Sequence, residues 1–340
     1  MAITNDLLSS TLYSIRDNFV DELFKKTAFL DHAQKMGGVE REDGGIKVQR
    51  PLSIVEHSTI SNLSGTGYEP VNIAINDVLR PAIYDWTDFV APIAISKKEE
   101  LENNGERGIV KIVEARTKNV FGLLRRETNR QILAGNSTTL STLDTLNGTS
   151  SGSVTGFFEN LATGSQTNVV GGVSKATYQS TRGWQNQRQT AASAFSTNGL
   201  AAMNAIYLAA NEVAPMGDIS LIISSVAGMS NYKRQLFANE RYVDPKVLDG
   251  GRMALAFAGA MMEQDSDMPI NAGVGTDEAT MYFINFDGIK LVFHSDAEFS
   301  IMPFVDSQGS TARVAHIYTK MCLVADHLGS CGALFDGDTY

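Results

Sequence analysis

Cysteine is scarce, with only Cys322 and Cys331 in 340 residues. They form neither a CxxC nor a zinc-finger spacing, which excludes a disulfide framework and fits a reducing compartment. Long apolar runs are missing as well. None approaches the roughly 18 residues of a membrane-spanning helix. The opening residues, MAITNDLLSS, hold no basic segment followed by an apolar run, so they do not read as a secretory signal. The sequons at Asn62, Asn136 and Asn147 therefore carry little weight. Positive charge is in deficit: 28 Lys and Arg stand against 38 Asp and Glu, for a net charge of -10. Such a chain does not wrap nucleic acid through clustered cations, although the balance keeps concentrated protein soluble.

Catalytic constellations are equally thin. Gly148-Thr149-Ser150-Ser151-Gly152 spells G-x-S-x-G. It lies in a Ser/Thr/Gly-rich stretch, without the strand before and helix after that a nucleophile elbow requires. His32, His57, His294, His316 and His327 are scattered, and no two have the spacing that puts metal ligands on one helix face. His316, Cys322, His327 and Cys331 read more simply as core or surface residues. Glu263, Asp265 and Asp267 lack the glycine-centred loop and distal Glu of a calcium site and read as a solvated turn. Gly273-Val274-Gly275 lacks the third glycine of a dinucleotide loop, and no Walker motif occurs. The chain reads as non-enzymatic, with no cofactor and no metal.

What is present is ordinary globular material, 43 % apolar and 19 % charged. Leu8, Leu12, Ile15, Phe19, Leu23 and Leu30 recur at helical steps between Asn5 and Met36. Ile46–Val55 and Arg80–Ile95 read as extended strands around the turn-rich SNLSGTGYEP of Ser61–Pro70. The second strand changes phase near Thr87-Asp88, which points to a bulge or bend. Its Pro92 favours an edge strand. Ser96 and Glu99 make a capping box for a short helix over Lys97–Asn104, closed by Gly105. Glu106–Ala134 is the strongest helix, with an apolar stripe of Ile109, Ile112, Val113, Val120, Phe121, Leu124, Ile132 and Leu133. It is also the basic part of an acidic chain, through residues that include Arg116, Arg125, Arg126 and Arg130. A helix is expected at Leu200–Val213, a strand at Ile219–Ile223, and a helix capped by Ser224 or Ser225 to about Leu236. Late strands are expected at Met253–Ala258, Met281–Phe286, Ile289–Phe293, Phe299–Met302 and Arg313–Val324. The segment Lys175–Gln189 fits no single type. The fold class is α+β.

The order of these elements resembles a tailed-phage major capsid protein of the Hong Kong 97 capsid fold. The residues that carry the resemblance are Trp86, then Ala91-Pro92-Ile93-Ala94-Ile95-Ser96, then Glu99–Gly105 leading into the long helix. VGGVSKATYQSTRGWQNQ (Val170–Gln187), MYFINFDGIKLVFH (Met281–His294), Met302-Pro303-Phe304 and Ala312–Leu334 extend it over nearly the whole chain. The resemblance implies an N-terminal arm over 1–45 and an extended β loop over 46–95 that lies across the adjacent subunit. It implies a peripheral domain over 96–217 with its long spine helix at 106–134, a mainly axial domain over 218–306, and a return to the peripheral sheet over 307–340. Lys47, Asn62, Gly65, Gly67, Tyr68 and Trp86 would belong to the inter-subunit loop, with no covalent cross-link. Arg116, Arg125 and Arg126 would face the genome. The implied function is a structural subunit that self-assembles as hexamers and pentamers into an icosahedral head enclosing the phage genome. Its partners would be itself, a portal, decoration and separate scaffolding proteins where these are used, and double-stranded DNA contacted without sequence preference, with no membrane. The implied location is the virion capsid, assembled in the host bacterial cytoplasm. An encapsulin-like compartment shell, which shares the fold but loads enzymes, is the other expectation.

Overall fold

In the computed structural model, the described residues are 27–53, 65, 79–102, 106–134, 158, 169–178, 184–191, 195–213, 218–238, 246–247, 253–268, 279–309 and 311–336. The first elements in chain order are α1 (Ala28–Lys35), β1 (Val39–Glu42), β2 (Lys47–Ser53), β3 (Leu79–Asp85), β4 (Thr87–Ser96), α2 (Lys97–Glu102) and α3 (Glu106–Ala134). Then come β5 (Val169–Val170), β6 (Val173–Ser174), β7 (Gln187–Ala191), α4 (Phe195–Val213), β8 (Leu221–Ser224) and α5 (Val226–Ala238). The rest are strands: β9 (Lys246–Val247), β10 (Met253–Phe257), β11 (Ala260–Gln264), β12 (Ala279–Ile284), β13 (Ile289–His294), β14 (Ser300–Asp306), β15 (Ala312–Ala325) and β16 (Gly332–Asp336).

Two large sheets organise most of these strands, and β2–β3 and β5–β6 form two-stranded pairs beside them. A five-stranded sheet is centred on β15, the longest strand. β4 pairs along one edge of β15, while β13 and β14 follow one another along the other, and parallel β1 borders β13. β4 is an edge strand, so Pro92 removes no ladder bond from the interior of the sheet. The inward residues of β4 and β15 (Phe89, Ile93, Ile95, Ala315, Ile317) share one core with Val113, Phe121 and Leu124 of α3. This is why the apolar stripe of α3 repeats at helical steps while those strands alternate.

The second sheet has seven strands in the order β7-β16-β12-β8-β11-β10-β9. Its central strands are apolar on both faces. Ile222, Met262, Met281, Phe283 and Leu334 pack under α4 and α5, while Leu221, Ile223, Tyr282, Ile284 and Ala333 join the main core. Burial on both sides explains the unbroken apolar run Leu221-Ile222-Ile223. The expected boundaries at 217/218 and 306/307 cut through both sheets. β7 and α4 belong with the seven-stranded sheet, β13 and β14 with the five-stranded one, and β16 returns to the seven-stranded sheet. Chain order misleads here because a strand joins a sheet by pairing and not by sequence neighbourhood.

Two other expectations change. Of the helical stretch expected over Asn5–Met36, residues 27–36 fall within the described residues, and Ala28–Lys35 of these is helical. Its Phe29, Leu30 and Ala33 are fully buried, and Phe29 meets Phe286 edge-on. Glu263 does not lie in a solvated turn: it is 1 % exposed in β11, and its Oε1 is 2.8 Å from Nε2 of His32, which is also 1 % exposed. This buried pair ties α1 to the seven-stranded sheet.

Candidate assembly site

The single strand with a slip expected over Arg80–Ile95 is two strands, β3 and β4. β3 buries its even residues, Ala82 and Tyr84, whereas β4 buries its odd ones, Phe89, Ile93 and Ile95. The phase changes at Trp86, the single residue between them, and not at a bulge in a continuous strand. β3 pairs with β2 as a two-stranded ribbon, and β4 pairs with β15 over ten residues. The ribbon is therefore a sheet of its own packed by one face on the body, and β4 belongs to the body.

The capping box behind β4 forms as its sequence predicts. Ser96 N–H donates to Glu99 Oε2 at 3.2 Å, and Glu99 N–H donates to Ser96 Oγ at 3.3 Å. Arg116 reaches from α3 to the Ala94 carbonyl and to the Glu99 carboxylate. The Ser96 amide first, then its hydroxyl and Arg116, hold the Glu99 carboxyl below its usual range. Strand, short helix and long helix are thus pinned at one point.

The root of the ribbon is packed and charged. Val48, Leu52, Ala82 and Tyr84 are buried, and the Tyr84 hydroxyl donates to the Ala325 carbonyl at 2.9 Å. Gly171 sits in the β5–β6 turn with φ +57°, and a Cβ there would come within 2.9 Å of both Ala82 and Tyr84. Glycine is needed at that turn both for its φ and for this close approach. Beside it, Arg50 of β2 pairs with Glu40, with Glu42 at 3.0 Å and with Asp326 at 3.8 Å. Lys290 of β13 pairs with Glu40 and lies 3.9 Å from Asp326. Three carboxylates thus face two cations. Burial alone would raise the Glu40 pKa, but hydrogen bonds from Lys290 and Arg50 outweigh it and hold that carboxyl below its usual range. For Asp326 burial wins over the same two cations, and its carboxyl sits above the ordinary range.

That imbalance carries a signed expectation. Ionised Asp326 costs stability, so the cost is absent below the ordinary carboxylate pKa and grows as pH rises through the raised folded value. Asp326→Asn is expected to stabilise the protein at pH 7 by roughly 0.5–1 kcal/mol. The gain should vanish on acidification toward the ordinary carboxylate range. Thermal melting of both proteins across that range checks this; a variant that melts lower than the parent at pH 7 contradicts it.

The remaining residues named for the loop and the genome face divide. Lys47 lies at the ribbon root, ion-paired to Asp85 at 2.9 Å. Gly65 is exposed, and Asn62, Gly67 and Tyr68 lie outside the described residues. Trp86 is a clasp within the subunit: its Nε1 donates to the Gly45 carbonyl at 3.1 Å, its ring lies 5.8 Å from that of His294, and Lys320 Nζ is 6.0 Å from its centre. Arg116 bonds to Ala94 and Glu99, with its side chain 37 % exposed. Arg125 and Arg126 line a polar cleft of about 450 Å³ with Asn129, Asp265 and Asp267, where Asn129 Nδ2 donates to both aspartates. Among the described residues, no group of three or more His, Cys, Asp or Glu is placed to hold a metal ion. Cys322 and Cys331 are unbridged, and burial raises both thiols, Cys331 to about 11. The ion cluster at the ribbon root and the His32–Glu263 pair escaped sequence reading because their members are distant in sequence.

No protein-family model and no curated protein sequence matches the chain. Solved structures do. A subunit of the cyanophage A-1(L) capsid aligns at TM-score 0.57 and 13 % identity, covering 89 % of this chain and 92 % of that one. The capsid protein of Myoviridae phage XM1 aligns at TM-score 0.53 and 11 % identity, over 89 % and 91 %. The capsid of the native GTA particle gives TM-score 0.53 and 10 % identity, over 90 % of both chains. The ribbon, the long helix and the two sheets thus make up the α+β fold of phage capsid subunits. It is the Hong Kong 97 capsid fold.

Proposed function

We propose that this chain is the structural subunit of an icosahedral phage head, self-assembling as hexamers and pentamers around the genome. The observation that carries the reading is the likeness to capsid subunits across about nine-tenths of each chain. The body supports it with a ribbon whose root is packed in the core and whose first described β3 residue, Leu79, is 60 % exposed. In this reading the five-stranded sheet and α3 form the peripheral domain, and the seven-stranded sheet with α4 and α5 forms the axial one. The ribbon reaches a neighbouring subunit, and symmetry multiplies each modest contact. Arg125 and Arg126, which line the polar cleft on the spine helix, would meet DNA. Portal, scaffolding and decoration proteins would be the other partners, the virion the final location, and the host cytoplasm the place of assembly.

Electron microscopy of the expressed protein tests the reading. Closed shells of uniform diameter with five- and six-fold vertices are expected, with DNA density against Arg125 and Arg126 in filled particles. A persistent monomer sinks the shell. Shells filled with a co-expressed enzyme in place of DNA favour the compartment instead.

A further inference from the structure

We propose that the β2–β3 ribbon, from the level of Pro51 and Pro81 outward to Ser53 and Leu79, is closed to strand addition along both of its edges, and that the two prolines are the closure. A two-stranded ribbon with exposed apolar side chains is a template for further strands. Here Leu79 is 60 % and Ile83 38 % exposed, next to a strand-forming run. Something has to stop it growing.

The register shows what does. Ile83 donates its amide to the Gly171 carbonyl at 2.9 Å, so its backbone faces away from β2. In an antiparallel pair, inward- and outward-facing positions alternate, and opposed residues share one type. Residues 79, 81, 83 and 85 on β3, with their partners 53, 51, 49 and 47 on β2, therefore turn their backbone groups to the two outer edges. Pro51 lies directly opposite Pro81 in that set. Each strand loses an outward amide at the same level, and a pyrrolidine ring takes the place of the hydrogen. On β3 the Ile83 amide is already engaged and Pro81 has none, so no two successive outward positions offer a donor. On β2, Pro51 leaves Ser53 as a lone outward donor; the successive donors Gln49 and Lys47 lie on the other side of the proline, at the ribbon root. A single proline would close one edge and leave the other open; the opposed pair closes both. The inference stands without the shell reading but constrains it, since a second copy then meets the ribbon through side chains and not through its backbone.

The test restores the donors one at a time. Pro51→Thr and Pro81→Thr each open one edge, which two copies satisfy by pairing about a two-fold axis, so a species of twice the unassembled subunit mass is expected in sedimentation. The double variant opens both edges and should polymerise without closure, with thioflavin T fluorescence at least about tenfold above the parent. Sedimentation and fluorescence equal to the parent in all three variants overturns the proposal. Circular dichroism checks folding. Where the threonine variants do not fold, Pro51→Ala and Pro81→Ala restore the same donors and should give the same order of parent, single and double. If neither set folds, the prolines hold the fold together and the proposal fails. Whether the parent forms shells does not enter the comparison.

Discussion

Glu263→Ala should destabilise the protein by about 3–5 kcal/mol, the cost of removing one partner from a fully buried charged or hydrogen-bonded pair. His32 and Glu263 are each 1 % exposed and 2.8 Å apart, and water cannot replace the lost carboxylate without opening the seam between α1 and the seven-stranded sheet. Natural domains hold only about 5–15 kcal/mol in reserve, so the variant should unfold at much lower urea. Glu263→Gln keeps an acceptor of the same shape and should lose far less. Urea midpoints for parent, Gln and Ala decide the matter; an Ala variant within about 1 kcal/mol of the parent would mean that the seam rests on the Phe29 and Leu30 packing alone.

Tyr84→Ala is the second large effect, expected at about 3–5 kcal/mol for an aromatic truncated in a packed core. Its ring fills the space that Gly171 leaves open, and its hydroxyl donates to Ala325. Tyr84→Phe separates the two contributions: the ring stays and only the hydrogen bond goes, about 1 kcal/mol. The loss is also expected to be local. Hydrogen exchange should speed up first in β2 and β3, because Tyr84 joins the ribbon root to the end of β15. Uniform acceleration across both sheets would show that the ribbon and body unfold as one unit.

The sequence made some elements legible and hid others for physical reasons. The long helix is read with its ends in place, because Glu106–Ala134 carries an apolar stripe over many turns. The capping box is local in sequence, and its two hydrogen bonds are those its pattern predicts. The ribbon is visible because Lys47–Ser53 and Leu79–Asp85 flank a turn-rich stretch. β1, β7, β11 and β16 are missed, as are the two-residue strands β5, β6 and β9. β1 is VERE and β7 is QRQTA, so neither announces itself by apolar content. Glu263 looked solvated because Gln264, Asp265, Ser266 and Asp267 follow it, yet its partner lies 231 residues away. The resemblance puts Trp86 on the loop, and the alternation on either side of it puts it at the loop's root, between β3 and β4. Arg116 looked free among the other cations of its helix; its acceptors, Ala94 and Glu99, belong to other elements.

β15 also sets a clock. It is the common partner of β4, β13 and β14, and the end of the ribbon is bonded to its last residue, Ala325. Until residues 312–325 leave the ribosome, β4 has no strand to pair with, the Tyr84 hydroxyl has no acceptor, and the core beneath α3 lacks its central strand. Sheets built from such distant segments close late. A growing chain therefore cannot present a finished contact surface to its siblings on the same messenger, and subunits become competent to associate only after the body that anchors the ribbon exists.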